Sequence, residues 1–209
     1  MGFDDTGGFD DTGGFDDTGG FDDTGGFDDT GGFDDTVQRI GSDPFATPDA
    51  QRDPARRLRG RLAAPVTVWT AVDADGAAVG LTVSSVLVVE GAPAEMVGVI
   101  GPLSDLAEAL GVGRRFVVHL LASDQARLAE QFAGRFPGDP FAEQAWAASA
   151  WGPTLERLGT RASCTVTGRQ PLGYGLLVRG RIDGVVLGGE RPGPLVHYRG
   201  RYATAAARR

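Results

Sequence analysis

The stretch PVTVWTAVDADGAAVGLTVSSVLVV, residues 65–89, constrains the fold more than any other part of the chain. Residues 66–72 alternate β-branched and aromatic side chains, the pattern of a strand whose successive side chains point to opposite faces. Asp73-Ala74-Asp75-Gly76 supplies a turn: Asp bonds its own backbone, and Gly accepts the left-handed conformation of a tight hairpin. Residues 77–81 lead back and 83–89 are apolar again. A lone hairpin is marginal in water, so this one must join a larger sheet. The return strand runs into Thr82, Ser84 and Ser85, a cluster of hydroxyls in an otherwise apolar run. Two readings stand: small side chains in a tight barrel corner, or donors for a ligand that needs hydrogen bonds.

The rest of the chain repeats the theme. Residues 96–100, 115–121, 161–167, 174–186 and 195–198 read as further strands, with Gly91-Ala92-Pro93 as a break. Residues 101–110 read as a helix, with Ser104-Asp105 at its start, an apolar set at Leu103, Leu106 and Leu110, and Gly111 as its stop. Ser123 starts a second helix that runs to Phe132 with Leu128 and Phe132 on one face. Residues 54–61 read as a short basic helix. Many short antiparallel strands with two or three helices outside predict a mainly β chain, closed or partly closed into a small barrel.

Charge divides the chain. Residues 1–36 hold six copies of Phe-Asp-Asp-Thr and no basic residue, so this segment carries twelve of the 28 acids. The remainder sets sixteen acids against twenty bases, so the net charge of −8 belongs to the repeat and not to the domain. Gly and Asp at this density cost too much backbone entropy, and repel too strongly, for one Phe per repeat to build a core. The expected organisation is a disordered acidic repeat tail at 1–36, a linker with the basic helix at 37–59, a folded domain at 60–203 and a C-terminal tail at 204–209.

Several chemistries are excluded or disfavoured. All twenty bases are arginine, so no lysine exists for a Schiff base or a phosphate-loop motif. Cys164 is the only cysteine, which rules out an intramolecular disulfide and fits a cytoplasmic protein. No run reaches the roughly 18 apolar residues of a membrane span. His119, His197 and Cys164 lack metal-ligand spacing, so no metal is expected, and His119 in its apolar strand reads as a core histidine. The modest positive surplus, next to an acidic tail, argues against nucleic acid. Arginines 114, 115, 179, 181, 199 and 201 read either as aids to phosphate binding or as solvated strand-end charge, and the three tryptophans as core or interface anchors.

Three segments together resemble the flavin reductase-like, FMN-binding split-barrel family: PVTVWTAVDADGAAVGLTVSS, FVVHLLASDQARLAEQFAG and PLVHYRGRY, in that order, covering Pro65 to Tyr202. The resemblance implies a split β-barrel, antiparallel and Greek-key-like, with two or three peripheral helices. It implies bound FMN, with FAD or a deazaflavin as alternatives, NAD(P)H as co-substrate, a homodimer, and a partner monooxygenase as one destination for the electrons. It points to Thr82, Val83, Ser84 and Ser85 as cofactor-binding positions, joined by Ser104 at the first helix, by Ala122, Ser123 and Gln125 in LASDQ, and by Tyr174 and His197. Ser123 keeps the alternative of a plain helix cap. Uncharged donors suit this ligand, because a flavin brings a phosphate, a chain of hydroxyls and a ring with a polar edge.

Two departures stand out. Reductases of the family commonly carry Gly-Asp-His where this chain has Gly173-Tyr174-Gly175, and Asp-Pro-Pro where it has Gly91-Ala92-Pro93. The missing imidazole leaves two classes of function open: an NAD(P)H-dependent flavin reductase, or a non-catalytic split-barrel module, with or without flavin, whose acidic tail engages a partner.

Overall fold

The computed structural model describes residues 53–143, 145–155, 159–188 and 193–204. The repeat tail at 1–36, most of the expected linker and residues 205–209 lie outside the described residues.

Among the described residues, twelve strands and three α-helices follow one another: α1 (Pro54–Arg61), β1 (Ala64–Pro65), β2 (Thr67–Val72), β3 (Ala78–Val83), β4 (Val86–Val89), β5 (Glu95–Ile100), α2 (Asp105–Ala109), β6 (Arg115–Leu120), α3 (Ala126–Phe132), β7 (Trp146–Ser149), β8 (Gly152–Leu155), β9 (Arg161–Leu172), β10 (Gly175–Val186), β11 (Leu195–Tyr198) and β12 (Arg201–Thr204). Seven of the strands form one antiparallel sheet in the order β3-β2-β6-β9-β10-β5-β4. A three-stranded sheet, β1-β11-β12, and the hairpin β7-β8 complete the β structure.

The sheet order forces closure. β3 and β4 stand at opposite ends of the seven strands, yet only Ser84 and Ser85 separate them in the chain. In a flat sheet the two edges would lie about 29 Å apart, whereas the link reaches about 10 Å when fully extended. The sheet therefore curls until its ends come together at Ser84 and Ser85, and the Val99 amide donates to the Ser85 carbonyl at 2.9 Å, carrying the β4–β5 ladder one residue into the link. The expected split barrel is the observed one.

Its interior is filled by pairing the largest side chains with the smallest. Trp69 and Phe116, both wholly buried, stack with ring centroids 4.9 Å apart. The indole lies on Gly98, where a Cβ would sit 2.6 Å from the ring carbons, and the Phe116 ring lies on Gly180 at the same 2.6 Å. Leu106 and Leu110 close this core beside α2, together with Val118, Val166 and Val178. Cys164 is buried there too, and burial pushes its thiol up to about 12, which leaves it inert. A second cluster, outside β2, joins Val66, Val68, Leu121, Leu128, Ala129, Phe132, Leu155 and Leu195. Because β2 is buried on both faces, its polar residues do not face water. The Thr67 hydroxyl donates to the Val83 carbonyl at 2.7 Å and accepts from the Trp69 indole at 3.1 Å, while the Thr70 hydroxyl donates to the Pro153 carbonyl at 2.6 Å.

Six elements differ from the sequence expectation. The first predicted helix shrinks to Asp105–Ala109, and Leu103, expected on its apolar face, precedes it and is 95% exposed. β9 runs past the expected end at 167 to Leu172. Pro171 is tolerated because β9 pairs with β6 only as far as Thr165, so its far edge needs no amide there. The hairpin β7-β8 was not foreseen, and neither was β12, which extends to Thr204. The first hairpin returns through Val83 rather than stopping at 81.

β4 forms the outer edge of the large sheet, with Leu87, Val88 and Val89 exposed. Among the described residues no helix is long and apolar enough to cross a membrane.

Two predictions follow from the packing. Gly98→Ala forces a methyl onto a ring that cannot move aside, so it is expected to destabilise by about 1–3 kcal/mol in chemical denaturation. Gly101→Ala, which meets open space, serves as the near-neutral control. His119 is wholly buried, as expected of a core histidine; its Nε2 lies 3.3 Å from the Thr70 hydroxyl, while Nδ1 has no partner. Burial lowers its pKa from 6.5 to about 4. The unfolded chain thus takes up a proton that the folded chain refuses, and stability falls as pH drops from about 6.5 towards 4, by about 3 kcal/mol. His119→Gln should flatten that slope when unfolding is measured across the same pH range.

Candidate functional site

The closing corner of the barrel gathers most of the residues the resemblance singled out, and the fold explains why they meet. Ser84 and Ser85 are half-buried at the seam, where short side chains let the chain pass from one sheet edge to the other. Their hydroxyls face the Arg59 guanidinium of α1, with Nη2 at 3.4 Å from Ser84 Oγ and 3.3 Å from Ser85 Oγ. α3 crosses the outside of β3: Phe132 lies over Gly80, and the Thr82 hydroxyl donates to the Ala129 carbonyl at 2.6 Å. The segment after β6 comes to the same end, because the Leu121 amide bonds the Val66 carbonyl and the Ser123 amide bonds the Gly193 carbonyl. β11 lies alongside through Leu195 and presents His197 opposite Ala64 and Tyr202.

The hydrogen bonds divide the expected positions into free and committed groups. Val83 is buried in the barrel core and its carbonyl is held by Thr67, so it offers no side chain to a ligand. Thr82 holds α3. Ser104 caps α2: its hydroxyl donates to the Gly101 carbonyl at 2.8 Å and accepts from the Ala107 amide at 3.2 Å. Gln125 closes its own turn by accepting from the Ala122 amide at 2.7 Å, which also engages Ala122. Ser123 opens a short 3₁₀ turn and does not cap it through its side chain. That leaves Ser84, Ser85 and Ser123 as the half-buried hydroxyls at this end.

Ser104 and the β9–β10 turn lie beyond β5, on the other side of the seam. Ser85 bonds Val99, and Ile100 leads into the turn before Ser104. Gly175 packs on the same two residues, with a Cβ there falling 2.5 Å from Val99 Cγ1 and 3.3 Å from the Ile100 carbonyl. Tyr174 itself stands fully exposed at the tip of the β9–β10 hairpin, next to Gly173 at φ +56°, and is not brought against the serines.

Several participants escaped the sequence reading. Arg59 was assigned to a basic linker helix. Glu130 on α3 is buried, and both its oxygens accept from Arg135 Nη1, at 3.0 and 3.1 Å. Burial, and the Glu130 carboxylate to which it is hydrogen-bonded, push the Tyr202 phenol well above its ordinary value. The His197 ring meets the Tyr202 ring edge-on at 5.8 Å, and burial, then Arg135, then Arg59 hold its pKa below the usual value, so it is neutral at pH 7. An acid seven residues past the helix-starting Ser123 was the one available signal. Four of the six strand-end arginines are engaged elsewhere: Arg114 with the Val72 and Asp73 carbonyls, Arg115 with the Ala150 carbonyl, Arg179 with Glu95, and Arg181 with Asp183. A depression of about 250 Å³ lined by Val72, Phe141, Trp146 and Pro153 is apolar and belongs to the far end of β2.

A flavin fits this corner by its donor set. Neutral hydroxyls and one guanidinium, with the buried Glu130 carboxylate already neutralised by Arg135, suit an anionic, hydroxyl-rich ligand. The family model for the flavin reductase like domain matches residues 59–206. The chain belongs to that family. An NADH-dependent FMN reductase, AsuE2, of Streptomyces nodosus subsp. asukaensis is 31% identical over 177 residues, spanning 81% of this chain and 95% of its own. Nitrilotriacetate monooxygenase component B from Mycobacterium thermoresistibile superposes with a TM-score of 0.65 at 29% identity, over 74% of this chain and 90% of that one. An oxidoreductase from Sinorhizobium meliloti 1021 is longer. It shares 26% identity and a TM-score of 0.65 over 75% of this chain, which spans 53% of that protein's length.

The division between free and committed hydroxyls is testable by stability alone. Thr82→Val removes the anchor of α3 and is expected to cost about 1 kcal/mol in chemical denaturation. Ser84→Ala, whose hydroxyl meets only an exposed guanidinium, should stay within about 0.5 kcal/mol of the parent.

Proposed function

We propose that this protein is an NAD(P)H-dependent flavin reductase that holds FMN against the junction of β3 and β4. The observation that carries the proposal is the pair of half-buried hydroxyls on Ser84 and Ser85, facing a guanidinium at the seam of a flavin reductase-like barrel. When bound, FMN supplies the redox chemistry, accepting a hydride from the nicotinamide and passing electrons onward. The protein's part is to bind and orient: Ser84, Ser85 and Ser123 offer donors to the ribityl chain, phosphate or ring edge, and neutral His197 lies beside them without adding charge. The same donors would accept FAD, which shares the ring and a phosphate.

Two further features belong to this reading. The relative named as a monooxygenase component supports delivery of electrons to a separate oxygenase. The partly buried corner and the exposed apolar edge at Leu87, Val88 and Val89 support a homodimer in which a second copy shields the flavin from water. A single buried thiol and a nicotinamide co-substrate both suit the cytoplasm.

One observation favours a second reading, a flavin-binding module without reductase activity. Gly175 stands where the family's Gly-Asp-His motif would carry its imidazole, and Val99 fills the space a side chain there would enter. No group at this position helps to seat a nicotinamide.

The purified protein is expected to be yellow, with flavin absorption bands that bleach when NADH or NADPH is added without oxygen. A yellow protein that neither nicotinamide bleaches selects the second reading. A colourless protein that takes up no added FMN overturns both.

A further inference from the structure

Resting on the flavin-binding reading above, we infer that Arg59 is a phosphate-recognition residue, so that this site selects phosphorylated flavins over riboflavin. Arg59 belongs to α1, and its placement is fixed. The Asp53 side chain caps the helix by accepting from the Ala55 and Arg56 amides at 2.8 and 3.3 Å, and the Arg199 amide in the turn between β11 and β12 donates to the Gly60 carbonyl at 2.7 Å. Yet α1 buries none of its residues, and Leu58 and Leu62 are 64% and 61% exposed. Apolar burial does not explain why a helix carrying four arginines is held at the seam of the barrel. The side chain that reaches inward does.

That side chain is incompletely satisfied. Its two partners are neutral hydroxyls at 3.4 and 3.3 Å, at the weak end of hydrogen bonding, and no carboxylate pairs with it among the described residues. Arg127, Arg135, Arg179 and Arg181 each have an acidic partner at 3.3 Å or less. Nearby, Arg135 neutralises Glu130, and His197 is uncharged at pH 7. The corner formed by Arg59, Ser84 and Ser85 is therefore positive and equipped with two hydroxyls, a combination that matches a phosphate monoester: the planar fork takes two oxygens while the hydroxyls donate to the remainder. Riboflavin has the ring and the ribityl chain but nothing for the guanidinium to meet.

The test compares dissociation constants for FMN and riboflavin, measured by quenching of flavin fluorescence, in the full chain and in Arg59→Gln and Arg57→Gln variants. The parent should bind FMN at least about tenfold more tightly than riboflavin. Arg59→Gln should weaken FMN by about ten- to a hundredfold and leave riboflavin unchanged, erasing the preference. Arg57→Gln, which removes an equal charge from the same helix without touching the serines, should change neither. Equal loss of both flavins in Arg59→Gln would make Arg59 a strut for α1 and overturn the inference. Equal loss of FMN in both variants would do the same in favour of diffuse helix charge. A parent that binds both flavins equally well overturns this inference and leaves flavin binding standing, whereas a parent that binds neither overturns the flavin reading itself.

Discussion

The barrel depends on closing a seven-stranded sheet across two residues. No local propensity accomplishes this; it requires an interior that fills the space once the edges meet. Trp69 and Phe116 provide the volume, and Gly98 and Gly180, on strands across the barrel, give up theirs to receive the rings. Interiors packed to crystalline density do not tolerate a mismatch at such a contact. Thr67 adds a polar tie, since its hydroxyl links the Trp69 indole to the Val83 carbonyl just before the seam. The position of Ser84 and Ser85 is thus set by the core beneath them, and a ligand there meets a preformed surface.

The seam also organises the surrounding layer. α3 is docked twice on β3, by Phe132 against Gly80 and by the Thr82 hydroxyl on Ala129, and this places Glu130, and with it Arg135 and Tyr202, beside the corner. β11 follows because Leu195 bonds both Val66 and Leu121. The site is made of segments distant in the chain, each positioned by a backbone or side-chain bond to a barrel strand.

Much of this was legible in the order of residues. The period of two over 66–72, the Asp-Gly turn and the hydroxyl cluster identified the first hairpin and its unusual end. The motif positions implied the fold that is observed, and most of them meet at one corner of it. What the sequence left obscure was direction and commitment. Thr82 and Ser84 look equivalent in a string of letters, yet one side chain turns towards α3 and the other towards Arg59. Ser104 and Gln125 carry suitable atoms but close their own turns with them. The β7-β8 hairpin escaped because its strands, WAAS and GPTL, lack β-branched alternation and hold together through packing on β2, where Gly152 lies on Ala71. Arg59 escaped because composition marked its helix as linker, and only a three-dimensional contact separates it from its three arginine neighbours.

β4 carries one more consequence. Its inner side is paired with β5, while its outer row of amides and carbonyls lies at the rim of the sheet beside Leu87, Val88 and Val89. Such a rim is a template onto which any extended apolar segment can add, with no bulge, proline or lysine within it to discourage the addition. A mutation that lengthens or further bares it would make the same strand a seed for precipitation.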